Sequence, residues 1–128
     1  MYDYGTEAEH LSEIYDDVQV FEDERYTDFE KRMYIKAKGQ CFKKSDVGKY
    51  VVAQTPRRNK AVMSVLYLVD RNKTKQFWWS HDSFYAMVFE KESAAQIQAK
   101  KYKYNKARVK KITENMANLD YFLNEYDS

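Results

Sequence analysis

The sequence predicts a single α+β domain: a mostly antiparallel sheet of four to five strands with helices packed on one face, in the order α-α-β-β-β-β-α-β-α. Three observations lead there. Apolar residues recur at three- and four-residue intervals near both ends of the chain and again over 92–103. Between positions 49 and 89 the texture changes to β-branched and aromatic runs separated by short polar stretches. A chain of 128 residues has room for one core.

Thr6 followed by Glu9 has the spacing of a capping box, and Leu11, Ile14, Tyr15 and Val18 follow at helical intervals, so the first helix is expected over 7–18. Tyr26, Phe29, Met33 and Ala37 share one helical face and predict a second helix over 24–38, with Gly39 placed to end it. The run Met33-Tyr34-Ile35 is also compatible with a strand. Strands are expected over 49–54, 61–69, 75–79 and 83–89, joined by polar turns at 55–59, 70–74 and 80–82. Connections this short are those of an antiparallel meander. The segment 61–69 is apolar on both faces and is the expected central strand. A helix over 92–103 carries Ala94, Ala95, Ile97, Ala99 and Tyr102 without Gly or Pro. A short fifth strand is expected over 108–112. Met116, Leu119, Phe122, Leu123 and Tyr126 predict a final helix, with Thr113 as its cap.

The composition, 44% hydrophobic, 16% aromatic and 33% charged, is that of a packed chain rather than a disordered or low-complexity one. The net charge of +2 hides a block structure. Residues 1–30 carry eleven acids against Arg25 alone, 31–111 carry twenty-one bases against five acids, and 112–128 carry four acids and no base. One domain is therefore expected in three parts: an acidic helical part over 1–40, a basic β-rich part with one helix over 41–112, and a C-terminal helix over 113–128. No basic start followed by an apolar run announces a secretory signal, and no apolar stretch approaches the roughly 20 residues of a membrane span. A cytoplasmic protein without a membrane association is expected, and the single cysteine, Cys41, agrees with a reducing compartment.

Catalytic and cofactor motifs are not found. The adjacent Ser80, His81 and Asp82 name the members of a hydrolytic triad, but neighbours on one turn point apart instead of converging on one imidazole, so a polar hairpin turn is the expectation. His10, His81 and Cys41 are scattered, without the paired short spacing of a zinc site. Asp16-Asp17 and Glu22-Asp23-Glu24 lack the pattern of a calcium loop. Three glycines spread along the chain build no phosphate-binding loop. No enzyme activity, no metal and no cofactor are expected.

Two charged features point instead to binding. Glu9, Glu13, Asp16, Asp17, Glu22, Asp23 and Glu24 would form an acidic helical face that meets a protein partner, its carboxylates imitating a row of phosphates, that docks on the basic middle of the same chain, or that is a solvated surface keeping the chain in solution. Over 100–111, seven of twelve residues are basic, and Tyr102 and Tyr104 lie among them. Lysine and arginine neutralise phosphates and tyrosine faces stack on bases, so Lys100, Lys101, Tyr102, Lys103, Tyr104, Arg108 and Lys110 form a candidate nucleic-acid contact. Arg57, Arg58 and Lys60 would extend it, as would Arg71, Lys73 and Lys75.

The chain is short, rich in Tyr and Lys and poor in Gly and Pro, and over 85–112 it runs strand, Ala-rich basic helix, short basic strand. In this it resembles the small accessory proteins of tailed bacteriophages. The resemblance implies a protein that acts in an infected bacterial host by binding a host component, often as an inhibitor of a nucleic-acid-processing or defence complex. The expected function is thus a non-enzymatic interaction protein that binds and modulates a macromolecular partner, with inhibition the favoured mode, and that partner is a protein first of all. Direct DNA or RNA binding through the 100–111 segment is the alternative.

Overall fold

The computed structural model describes residues 27–54 and 65–127. The helix expected over 7–18, the start of the one expected over 24–38, and the first part of the strand expected over 61–69 lie outside the described residues.

Helix α1 spans Asp28–Gln40. It starts where Thr27 and Glu30 cap one another: the Glu30 amide donates to Thr27 Oγ1 at 3.1 Å, and the Thr27 amide donates to Glu30 Oε1 at 3.2 Å. Gly39 does not end the helix, as its sequence position suggested. The helix runs through it to Gln40, and Cys41 leaves in an extended conformation. Gly39 packs beside Asp82, where a Cβ would stand 3.4 Å from a carboxylate oxygen, an ordinary van der Waals contact. A short 3₁₀ turn, Lys44–Asp46, then leads to Gly48 at φ +91, whose amide donates to the Ile112 carbonyl at 2.8 Å and turns the chain into the sheet.

The sheet is antiparallel throughout. Its strands β1 (Tyr50–Gln54), β2 (Leu66–Leu68), β3 (Trp79–Ser80) and β4 (Arg108–Lys111) stand in the order β3-β2-β1-β4. The segment expected to be central supplies β2, which has a neighbour on each side. Strand β1 is buried on both faces, as its unbroken Tyr-Val-Val-Ala run requires. On one face Val52 and Leu68 meet Ala95 and Ala99 of helix α2 (Glu92–Lys101), two alanines four residues apart that let the helix lie close against β1 and β4. On the other, Val51, Ala53 and Tyr67 meet Phe42, Ile112 and Met116, contributed by segments beside the remaining helices. Helix α3 (Leu119–Asp127) follows a 3₁₀ turn over Asn115–Ala117 and packs on α1, with Ala37 and Phe122 buried. Thr113 stands before that turn and does not cap α3: its carbonyl accepts the Met116 amide at 3.1 Å, with its hydroxyl 3.4 Å from the same amide.

Two expected strands are corrected. The strand over 83–89 begins instead as a 3₁₀ helix, Ser83–Tyr85, because the Asp82 carboxylate accepts the Phe84 amide at 2.8 Å and caps a helical turn. Ser83 Oγ lies 3.0 Å from the Gly39 carbonyl and 2.7 Å from that of Cys41, tying this turn to the end of α1. Only beyond it does the chain enter the sheet, by single bridges: Ala86 opposite Val69, and Phe89 exchanging bonds of 2.7 and 2.8 Å with Tyr50. The strand over 75–79 shrinks to Trp79–Ser80. Arg71 is the cause: its guanidinium donates to the carbonyls of Phe77 at 2.6 Å and Lys75 at 2.8 Å and lies over the Trp78 ring, engaging acceptors that a ladder would use.

Tyr67 gives this core a pH dependence. Its ring meets Phe42 edge to face, and burial above all, then the neighbouring Tyr121, pushes its phenol up to about 12. In the unfolded chain a tyrosine ionises near about 10. Between these values the folded chain keeps a proton that the unfolded one releases, so this stabilisation is full below about pH 10 and is lost as pH rises towards about 12. Urea melts across that window should show a shallower alkaline decline for Tyr67→Phe than for the natural chain; equal slopes would contradict the assignment.

Candidate nucleic-acid interface

The basic segment forms where α2 turns back into the sheet as β4. Lys100 and Lys101 occupy the last turn of α2, where cations also complement the negative end of the helix. Tyr102 follows as the cap of α2, half-buried, its ring edge-on to Trp79 at 5.5 Å between centroids. It anchors the turn to the core. A 3₁₀ helix, Lys103–Asn105, then lifts Tyr104 away from the protein, leaving it 90% exposed. The Tyr102 carbonyl accepts the amides of Asn105 at 2.9 Å and Ala107 at 3.4 Å, which closes the turn tightly. Lys106 completes it at φ 57, ψ 35, a left-handed conformation that costs a residue with a Cβ roughly 1–2 kcal/mol and that glycine or asparagine tolerates more easily.

Among the described strands β4 is an edge of the sheet, and of its four residues all but Val109 are exposed. Alternation sets Arg108 and Lys110 on the face away from Val109 and α2, and Lys111 on the same face as Val109. The cations thus run round the α2–β4 turn and along a sheet edge that no described strand pairs. Among the described residues, no carboxylate pairs with Lys100, Lys101, Lys103, Lys106, Arg108, Lys110 or Lys111. The Lys103 ammonium instead stands 5.5 Å from the centre of the Tyr104 ring.

Of the extension expected through 71–75, two cations are engaged by the chain itself. Arg71 is held by backbone carbonyls and Trp78. The Lys73 ammonium donates to the Phe84 carbonyl at 2.7 Å and sits over the Phe84 ring; burial is the main influence on it and lowers its proton affinity. Lys75 is exposed. Arg57, Arg58 and Lys60, together with Glu9, Glu13, Asp16, Asp17, Glu22, Asp23 and Glu24, lie outside the described residues.

Ser80, His81 and Asp82 do not converge. Ser80 Oγ accepts the Asp82 amide at 3.0 Å, Asp82 caps the following turn, and His81 Nδ1 lies 2.9 Å from the Val65 carbonyl, where it must carry the proton. All three side chains serve the backbone. The sequence offered no sign of a cleft of about 750 Å³ between the end of α1 and the start of α3, lined by Lys38, Cys41, Lys44 and Glu114 among others. Burial pushes the Cys41 thiol up despite the two lysines beside it, so the thiol is not an activated nucleophile. Among the described residues, no helix is long and apolar enough to cross a membrane.

Compared with family models, with curated proteins and with solved structures, the chain finds no match.

Proposed function

We propose that the chain is a non-catalytic nucleic-acid-binding protein whose contact surface is the α2–β4 turn and the adjoining edge strand. The observation that carries this reading is the environment of Tyr104: an aromatic ring 90% exposed, within a run of cations that no described carboxylate neutralises. Lys100 and Lys101 have a use at a helix end, and Arg108 and Lys110 discourage pairing at a sheet edge. Tyr104 and Lys106 have no comparable structural use, and Lys103 has only the exposed Tyr104 ring beside it. Cations that meet phosphates displace condensed counterions, so the interaction weakens as salt rises. An electrophoretic mobility shift with DNA and RNA is expected to show retardation at low salt that fades at moderate salt. No retardation of either polymer at low salt would remove the reading.

A second reading, capture of a protein partner by an acidic face, is favoured by the eleven carboxylates among the first thirty residues. Reversing Glu9, Glu13, Asp16 and Asp17 to lysine separates the two readings. It would abolish capture of the partner while leaving the salt-sensitive shift of nucleic acid in place.

A further inference from the structure

We infer that the α2–β4 turn selects single-stranded nucleic acid, with Tyr104 as a platform for one base and Lys103 and Lys106 as contacts to the phosphates on either side. This rests on the nucleic-acid reading above and narrows it to one class of ligand. Among the exposed large hydrophobic residues, Phe29, Trp78 and Ile97 are between 54% and 60% exposed, and each keeps a substantial part of its surface covered. Tyr104, at 90%, covers almost nothing, and the fold does not need its ring, because Tyr102 anchors the turn and backbone bonds close it.

A phenol ring in that position is satisfied by a flat apolar surface, and an unpaired base offers one. A duplex does not: its bases are stacked on each other, and it presents sugar-phosphate rails and groove edges. Nor does α2 resemble a groove-reading helix. The side opposite Ala95 and Ala99 exposes Gln96 and Ile97, and the cations are confined to the last turn.

Lys106 supplies an independent observation. Its backbone is left-handed, a conformation in which asparagine or glycine is at less disadvantage, yet the position holds a cation two residues from the exposed ring. Strain kept at one residue of a surface turn, where a neutral residue would fit better, is accounted for when the ammonium meets a phosphate. Stacking and phosphate contact recognise no particular base, so the binding is tolerant of sequence and open to both DNA and RNA.

The test is fluorescence anisotropy at low salt with the full chain and labelled oligothymidylate, oligouridylate and a duplex of equal length, about a dozen nucleotides. Either single strand should bind at least about tenfold more tightly than the duplex, and comparison of the two single strands shows whether a 2′-hydroxyl adds to the contact. Tyr104→Ala should weaken the single strand by about tenfold or more, while Tyr104→Phe, which keeps the ring, binds as the natural chain does. Lys106→Asn should weaken it too, without lowering Tm. Equal affinity for duplex and single strand, or a silent Tyr104→Ala, would overturn the inference and leave phosphate binding standing. Absence of binding to all three oligonucleotides would overturn both readings.

Discussion

Replacing Lys100, Lys101, Arg108 and Lys110 together by glutamine is expected to lower affinity for a single strand several-hundred-fold at about 0.1 M salt, and to flatten the log-log salt dependence by about 3, since each phosphate that a cation no longer neutralises on a single strand takes about 0.7 off the slope. These four residues are exposed and make no ion pair with a described carboxylate, so the folded core does not depend on their charges. The helix end loses a favourable dipole interaction of about 0.3–1 kcal/mol per lysine, and little else. Binding and stability should therefore separate, with affinity collapsing while the thermal transition moves by a few degrees at most. Glutamine is the right substituent because it keeps a polar, flexible side chain and avoids placing a new negative charge at the negative end of α2. An unchanged affinity would show that the basic edge is only a solvated surface.

The largest effect on stability is expected at Phe122, whose side chain is 1% exposed, with its ring edge-on to Tyr121 at 5.5 Å. Helix α3 packs on α1, and truncation to alanine there loses the transfer free energy of a phenyl ring and leaves a cavity that neighbouring side chains only partly refill. The expected cost is about 3–5 kcal/mol, a large share of the roughly 5–15 kcal/mol that holds an ordinary domain together. Circular dichroism melts of Phe122→Ala should show Tm lower by more than about 10 °C. Phe29→Ala is the contrasting case: that side chain is 56% exposed, and its loss should cost less than about 1 kcal/mol. Equal melting of the two variants would contradict the placement of α3 against α1.

What was legible in the sequence was the part governed by periodicity. The apolar residues over 92–103 announced α2, although only Ala95 and Ala99 of its apolar set are buried within it, and the β-branched run at 49–54 announced the strand β1. Phe122 fell where the spacing of the last helix put it. The misplacements came from single side chains that bond to distant or neighbouring backbone. Asp82 captures the Phe84 amide and converts the start of a β-branched and aromatic run into a 3₁₀ turn. Arg71 captures two carbonyls over 75–77 and shortens β3, and Lys73 likewise donates to the Phe84 carbonyl. Composition counts such residues as charged without revealing which carbonyl they serve. Gly39 was read as a helix stop, but the helix runs through it to Gln40. The signal for the true start of α1, threonine at 27 and glutamate three residues on, was present in the chain and outweighed by the apolar spacing upstream of it.

The candidate surface was legible in the same partial way. Seven cations and two tyrosines in twelve residues were visible as a cluster, but the sequence could not distinguish the tyrosine that anchors from the one that protrudes. The difference lies in where α2 ends: Tyr102 closes its last turn and falls against Trp79, and the 3₁₀ turn that follows carries Tyr104 outward. The left-handed Lys106 could not be foreseen either, because lysine is not a residue that marks that conformation.

The most direct test of the central claim is the affinity of the natural chain for a single-stranded oligonucleotide measured across about 50 to 200 mM monovalent salt. If four to seven of the cations around the α2–β4 turn meet phosphates, the logarithm of the association constant falls linearly with the logarithm of salt, with a slope of about −3 to −5. A slope near zero, or no binding at the low end of that range, would contradict it.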